Sequence, residues 1–406
     1  MNLYRLYIDP GTGSMLFSIL IGAAATVYFL ARAFIIKSKI FFSTDKAAST
    51  RNAVYPFVIY SEGKQYWDVF KPVADEFEKR SQTLLYLTSS EDDPVFGAGY
   101  RFIKPEFIGE GNRAYARLNL LSAGIVLMTT PGLDVYQLKR SKMTFHYAHI
   151  LHAPGDAVMY RMFGLDYFDS VLLSGDYQAR DIRALEKMRN LPEKVLVTAG
   201  CTYLDVYAEK IKQIPGETEH PFTVLVSPSW GASGLLSRFG KTLLDPLVET
   251  GWRIIVRPHP QSLKSEKEMI DGLAAQYRGV PSLVWDYERE NIYSLKKADI
   301  MISDFSGIIF DYAFLCDRPV IYVKQGFDLR PYDADDLEGE LWQFKTLREI
   351  GIELKEEDFS SIKEIIANAS DSDDLKKARD RARDAAWQHR GEAGKRAADF
   401  MTGAVH

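Results

Sequence analysis

The chain is poor in cysteine, with Cys201 and Cys316 as the only two in 406 residues. Two thiols cannot form a disulfide framework or a four-cysteine zinc cluster, and lone cysteines among apolar neighbours suit a reducing compartment. Excess positive charge is missing too. The formal net charge is -5, so bulk electrostatics give no support to a nucleic-acid partner. Internal repeats and low-complexity tracts are absent. What is present is ordinary for a folded protein: 46% hydrophobic and 26% charged residues, in a chain long enough for one membrane segment and two domains.

One apolar run stands apart. A leader, residues 1–13, carries the turn Asp9-Pro10-Gly11, and residues 14–37 follow as a candidate transmembrane helix. From Ser14 to Ile36 the only charge is Arg32, near the far end where it can snorkel. A bilayer span needs about 20 such residues. The run is long for the core of a signal peptide and has no basic stretch before it; a buried core helix is the other reading. Lys37, Lys39, Lys46 and Arg51 follow it, against Arg5 and Asp9 before it. The positive-inside rule then leaves the body of the chain in the cytoplasm.

Beyond the run, short buried strands alternate with helices, the pattern of parallel, doubly wound sheets. Strands are expected at 54–60, 83–87, 124–128, 168–174 and 194–198, with helices at 66–79, 113–121 and 177–188. These make a first domain, 50–212. Residues 213–220, rich in Pro and polar side chains, read as a linker. The second domain, 221–369, has strands at 222–226, 283–285, 298–302 and 320–323. The acidic stretch 328–340 reads as a solvated loop. Residues 370–400 read as one closing helix, acidic at its start and basic later, as the helix dipole prefers.

The chemistry of the second domain concentrates in a turn. Ser303-Asp304-Phe305-Ser306-Gly307 sits between an apolar strand and a helix carrying Ile308, Ile309, Tyr312 and Ala313. A helix starting near Ser306 aims unpaired N–H groups and a positive dipole end at a phosphate; alternatively, Ser306 only caps a buried helix. Upstream, Arg257-Pro258-His259-Pro260 stiffens another strand end. Ligands of open α/β sheets bind beyond the carboxyl ends of strands. Arg257, His259, Ser303, Ser306 and the N–H groups from Gly307 onward therefore form a candidate diphosphate clamp. Asp304 and Asp311 would repel a diphosphate and fit ribose hydroxyls or the orientation of His259; Asp311 fits equally an ordinary helix-side carboxylate. The loop at 227–234, with Ser229 and Trp230, reads either as a ligand contact or as a Gly/Ser-rich turn.

In the first domain, His146, His149 and His152 are spaced by three, which on a helix would suggest a metal site. The run is instead rich in Phe, Tyr, Ile and Leu and ends in Ala153-Pro154-Gly155, a strand entering a turn. It contains no cysteine or carboxylate to complete a ligand set, so no metal is expected. On a strand, His146 and His152 share one face and His149 points away.

R-P-H-P at 257–260, followed by S-D-F-S-G-I-I-F-D-Y-A-F-L-C-D-R-P-V-I-Y at 303–322, resembles the C-terminal half of the CDP-glycerol glycerophosphotransferase family. Those enzymes build or prime teichoic acids and related polyol-phosphate polymers of bacterial envelopes. The resemblance implies a GT-B-like pair of Rossmann-type domains, a CDP-linked polyol donor, a polyprenyl- or lipid-linked acceptor in the membrane, and no catalytic metal. It also implies a general base, since His152-Ala153 matches a His-Gly dipeptide at a strand end, with Ala153 replacing the glycine. His149 is the alternative base, and His259 is the catalytic partner in the second domain. The Ser229-Trp230 loop is similar to a family segment in which an arginine usually stands at the place of Gly231. The expected protein is a single-pass cell-membrane transferase with its catalytic body in the bacterial cytoplasm. A GT-B nucleotide-sugar glycosyltransferase and a non-catalytic, membrane-anchored nucleotide-binding module are the alternatives.

Overall fold

Two parallel sheets organise the chain in the computed structural model, which describes residues 54–215, 220–288, 290–324 and 326–404. The leader and the candidate span 14–37 lie outside the described residues. Among the described residues no helix is long and apolar enough to cross a membrane. Residues Tyr55–His406 form one compact unit.

The first sheet contains β1 (Tyr55–Ser61), β2 (Leu84–Thr88), β3 (Ile103–Phe107), β4 (Ala123–Met128), β5 (Thr144–Ile150), β6 (Ser170–Leu173) and β7 (Val195–Thr198). Its order is β3-β2-β1-β4-β5-β6-β7. The second holds β8 (Thr223–Val226), β9 (Arg253–Val256), β10 (Leu283–Trp285), β11 (Ile300–Ser303), β12 (Val320–Tyr322) and β13 (Gly351–Glu353), in the order β10-β9-β8-β11-β12-β13. All strand pairs are parallel. Strands such as Val224–Val226 and Ile300–Ile302 are fully buried because helices cover both faces. The strand order reverses between β1 and β4, and again between β8 and β11. Each reversal opens a crevice at the carboxyl ends, where ligands of such sheets bind.

The edge strands β3 and β13 were not expected. β3, Ile-Lys-Pro-Glu-Phe, exposes Lys104 and Pro105, and proline with charge is how an edge strand avoids further pairing. The closing helix is also different from the expectation. It is three pieces, Ile362–Ser370, Asp373–Ala386 and Ala393–Gly403. Ser372 caps the second, accepting from the Leu375 N–H. Between the second and third, His389 and Gly391 take positive φ and Asp205 gathers Trp387 Nε1, Gly391 N and Ala393 N at 2.8–3.2 Å. The turn sends the last helix back onto the helix Trp67–Lys79 of the first domain. Gly394 makes that crossing possible, since a Cβ there would lie 2.5 Å from Pro72.

The acidic segment is not a solvated loop either. Asp333 is 1% exposed and accepts from Phe163 N and Gly164 N at 2.7 and 3.0 Å. Arg189 Nη2 reaches Asp333 at 2.7 Å and Asp336 at 2.6 Å, while Nη1 reaches Asp166 at 2.7 Å. The acidic residues thus fasten the second domain to the first.

Candidate active site

The loops leaving β8 and β11 flank the second crevice, and Asp304 ties them together. Its carboxylate accepts from Ser229 N at 3.0 Å, Ser229 Oγ at 2.9 Å, Leu235 N at 3.0 Å and Ser306 N at 3.2 Å. Asp304 is 1% exposed, so it shapes the crevice from within and does not face ribose hydroxyls. The donor groups of Ser229 are spent on the same tie. Ser303 is fully buried, its hydroxyl given to the Ser227 carbonyl at 2.5 Å. Asp311 lies inside the helix Ile308–Cys316, where burial lifts its carboxyl to about 7 despite the Tyr203 hydroxyl donated to it. Arg257 turns toward β10, pairing with Asp286 at 2.5 Å and donating to the Glu288 carbonyl at 2.6 Å. Five expected donor contacts, Arg257, Ser303, Asp304, Asp311 and Ser229, are therefore engaged inside the protein. Sequence alone gave no sign of their partners, which come from other loops and helices.

Ser306, Gly307 and His259 remain at the crevice. Gly307 is exposed at the start of the Ile308–Cys316 helix. Among the described residues nothing accepts from the N–H groups of Gly307 and Ile308, which lie at the positive end of that helix. His259 is half-buried, and its Nδ1 accepts the Gln261 N–H at 3.1 Å. The neutral ring therefore carries its proton on Nε2, which can donate. Burial lowers its pKa, with Asp304 and Glu266 pulling the other way.

The first sheet contributes His152. Here the alternation expected from a strand fails, because β5 ends at Ile150 and the chain bends before His152. His149 and His152 consequently turn to the same hydroxyl: Tyr160 Oη lies 3.0 Å from His149 Nε2 and 3.2 Å from His152 Nδ1. His146 faces away, against Ser170 Oγ at 2.9 Å and the Phe400 ring. The three histidines do not converge, and among the described residues no group of three or more His, Cys, Asp or Glu is placed to hold a metal.

Tyr160 and Thr129 are site residues that sequence reasoning missed; neither lies in a motif. Their hydrogen bonds have a direction. His149 is fully buried and its Nδ1 has no partner. A bare ring nitrogen is less costly to orphan than an N–H, so Nε2 holds the proton and donates to Tyr160. His152 Nδ1 lies 3.1 Å from Thr129 Oγ1 and 3.2 Å from Tyr160 Oη; with its proton on Nδ1 the ring donates to one of these hydroxyls and leaves Nε2 as a lone pair, the tautomer that a general base needs. Burial lowers the His152 pKa to about 4, so the ring is neutral at physiological pH. Tyr160→Phe is expected to move His152 from a single Nδ1–H tautomer to a mixture, read from its ring ¹⁵N shifts, with the fold retained. A His152 spectrum unchanged by the substitution would show that Tyr160 does not set the tautomer.

His152 and Gly307 meet on one cavity of about 180 Å³, lined also by Leu151, Pro154, Tyr160, Phe310 and Gln343. Its wall is fastened by Asp156, whose carboxylate accepts from Trp342 N and Gln343 N at 3.2 and 2.8 Å, capping the helix Trp342–Ile350 of the other domain. Burial lifts the Asp156 carboxyl to about 6 even against those N–H groups.

Two Rossmann-like sheets with their carboxyl ends turned to a shared cleft define a GT-B-like fold. Residues 182–399 match the family described as CDP-Glycerol:Poly(glycerophosphate) glycerophosphotransferase, and the chain belongs to that family. No curated protein sequence matches it. Among solved structures, the wall teichoic acid polymerase TagF is similar at 15% identity and a TM-score of 0.54, over 91% of this chain and 95% of that one. UDP-GlcNAc 2-epimerase from Methanocaldococcus jannaschii is similar at 14% identity and a TM-score of 0.54, over 86% of this chain and 99% of that one. A UDP-N-acetylglucosamine 2-epimerase-like structure from Listeria monocytogenes is similar at 11% identity and a TM-score of 0.56, over 85% of this chain and 95% of that one. These likenesses establish the fold.

Proposed function

We propose that the chain transfers glycerol phosphate from CDP-glycerol to a hydroxyl of a lipid- or polyprenyl-linked acceptor, in the manner of a teichoic-acid polymerase or primase. The observation that supports it is the cavity shared by His152 and Gly307. His152 Nε2 takes the proton of the acceptor hydroxyl. The acceptor oxygen forms a bond to the glycerol-bearing phosphorus, the diphosphate P–O bond breaks, and CMP leaves. Charge developing on the leaving phosphate meets the N–H groups of Gly307 and Ile308, the Ser306 hydroxyl and His259 Nε2–H. A TagF structure was obtained with CDPG soaked in, which favours this donor over a nucleotide sugar. The apolar run 14–37 and the basic residues after it support a single-pass anchor with the body on the cytoplasmic side.

The test is donor binding and turnover by the full chain. CDP-glycerol, and not UDP-sugars, is expected to raise the melting temperature. His259→Ala and Ser306→Ala are each expected to weaken CDP-glycerol by about one to two decades, since a charge-assisted hydrogen bond contributes about 1.5–3 kcal/mol. If both variants fold and bind as the parent does, the clamp lies elsewhere. A UDP-sugar response would favour a glycosyltransferase, and binding without turnover a nucleotide-binding module.

A further inference from the structure

Phe145 is 80% exposed, although it is the second residue of a strand in the middle of the sheet. Its neighbours explain why this is a surface and not an isolated side chain. The Met143 carbonyl accepts from Ala123 N at 3.2 Å and the Ser122 carbonyl from Tyr55 N at 3.1 Å. Val54, Leu120, Met143 and Phe145 therefore all sit at or just before the amino ends of the adjacent strands β1, β4 and β5. Their exposures run from 43% at Met143 to 80% at Phe145. Contiguous apolar surface of this kind marks a contact with another body.

We propose that this end of the first sheet rests on the lipid bilayer, as a second membrane contact beside the anchor proposed above, on which the inference rests. Three observations favour lipid over a protein partner. The chain enters the fold at Val54, within the apolar end itself, directly after residues 1–53 with their apolar run. Lys37, Lys39, Lys46 and Arg51 precede Val54 in the sequence. Lys142 is exposed beside Met143, which suits anionic head groups. The remaining nearby charges are internally balanced: Arg140 is held by Asp169 at 2.8 Å and lies over the Tyr147 ring, and Asp134 is 3.9 Å from Lys139. The cleft is at the opposite end of the strands. Ile150, the last residue of β5 before the bend to His152, is five residues beyond Phe145, which at about 3.3 Å per residue is roughly 16 Å. An acceptor hydroxyl must then be carried about that far from the bilayer by its own head group or polymer.

The experiment uses the full chain, with Cys316→Ser, reconstituted in vesicles of phosphatidylglycerol and phosphatidylethanolamine; Cys201 is buried and unreactive. An environment-sensitive fluorophore is attached at Phe145→Cys, Leu120→Cys or Phe96→Cys. Phe96 is 44% exposed and follows β2 at the cleft end. Blue-shifted emission at positions 145 and 120, quenched by doxyl-labelled lipid, with neither effect at 96, is the expected result. Replacing phosphatidylglycerol by phosphatidylcholine is expected to reduce the quenching. If the chain floats with the vesicles but 145 behaves as 96 does, the docking surface is wrong and the anchor stands. If the chain does not float, both fall. Blue-shifted emission without lipid quenching would mean that a second copy or the chain's own N-terminal segment covers the surface, and would also overturn the proposal.

Discussion

His152→Ala is expected to lower glycerophosphate transfer by about two to four decades, the usual cost of removing a general base. CDP-glycerol affinity should stay close to that of the parent, because the donor groups Gly307, Ser306 and His259 belong to the other domain. His149→Ala is a different test from the one that strand alternation would suggest. Since His149 donates to Tyr160, which in turn contacts His152, its loss is expected to lower the rate as well, though by less than the loss of His152, and to disturb the His152 tautomer. The pH profile separates a base from a merely structural histidine. The base works only when neutral, and burial has moved its pKa down to about 4. The acid limb of kcat/KM in the free enzyme is therefore expected near that value and not near 6.5, the ordinary histidine value. Full activity of both histidine variants would remove this stretch from the mechanism.

The parts of the fold written in local pattern could be read directly. The helix Tyr177–Met188 and the strand Leu283–Trp285 fall where their spacing places them, because each packs one unbroken apolar face. The turn at Ser306-Gly307 was legible for the same reason: a strand end, small residues and an apolar helix follow one another without interruption. What was not legible depends on residues far apart in the chain. Arg257 looks like a free cation beside a proline until Asp286, from the next strand, pairs with it. Asp304 looks like a ligand contact until four donors from two loops occupy its oxygens. The histidine run illustrates a different limit. Alternation predicts faces only while the strand lasts, and β5 stops two residues before His152.

Arg189→Met is expected to destabilise the protein by about 3–5 kcal/mol, read as a lower urea midpoint of the transition that the parent shows. The sequence offered only a basic residue after a helix and an acidic stretch far downstream. In the fold, the Arg189 side chain is 10% exposed, and it meets the side chains of Asp166 and Asp333, 8% and 1% exposed. Exposed ion pairs contribute little, but here truncation would leave the buried Asp333 without its cation and Asp166 with only the nearby Lys194. The guanidinium also lies over the Phe163 ring, 4.8 Å from its centroid, so methionine keeps part of the packing and the measured loss is chiefly electrostatic. Asp333→Asn in the same background should restore part of it, giving a double variant less destabilised than the sum of the singles. The pH dependence has a defined sign. Burial already raises the Asp333 carboxyl against the pull of Arg189, and removing Arg189 raises it further. A carboxyl raised on folding binds its proton in the native state before the unfolded one does, so lowering the pH favours the native state in that window. The deficit of Arg189→Met relative to the parent should therefore shrink as the pH falls from 7 toward 5. A deficit that is constant with pH, or below about 1 kcal/mol, would mean that the acidic segment is held to the first domain by its backbone contacts with Phe163 and Gly164 and not by charge.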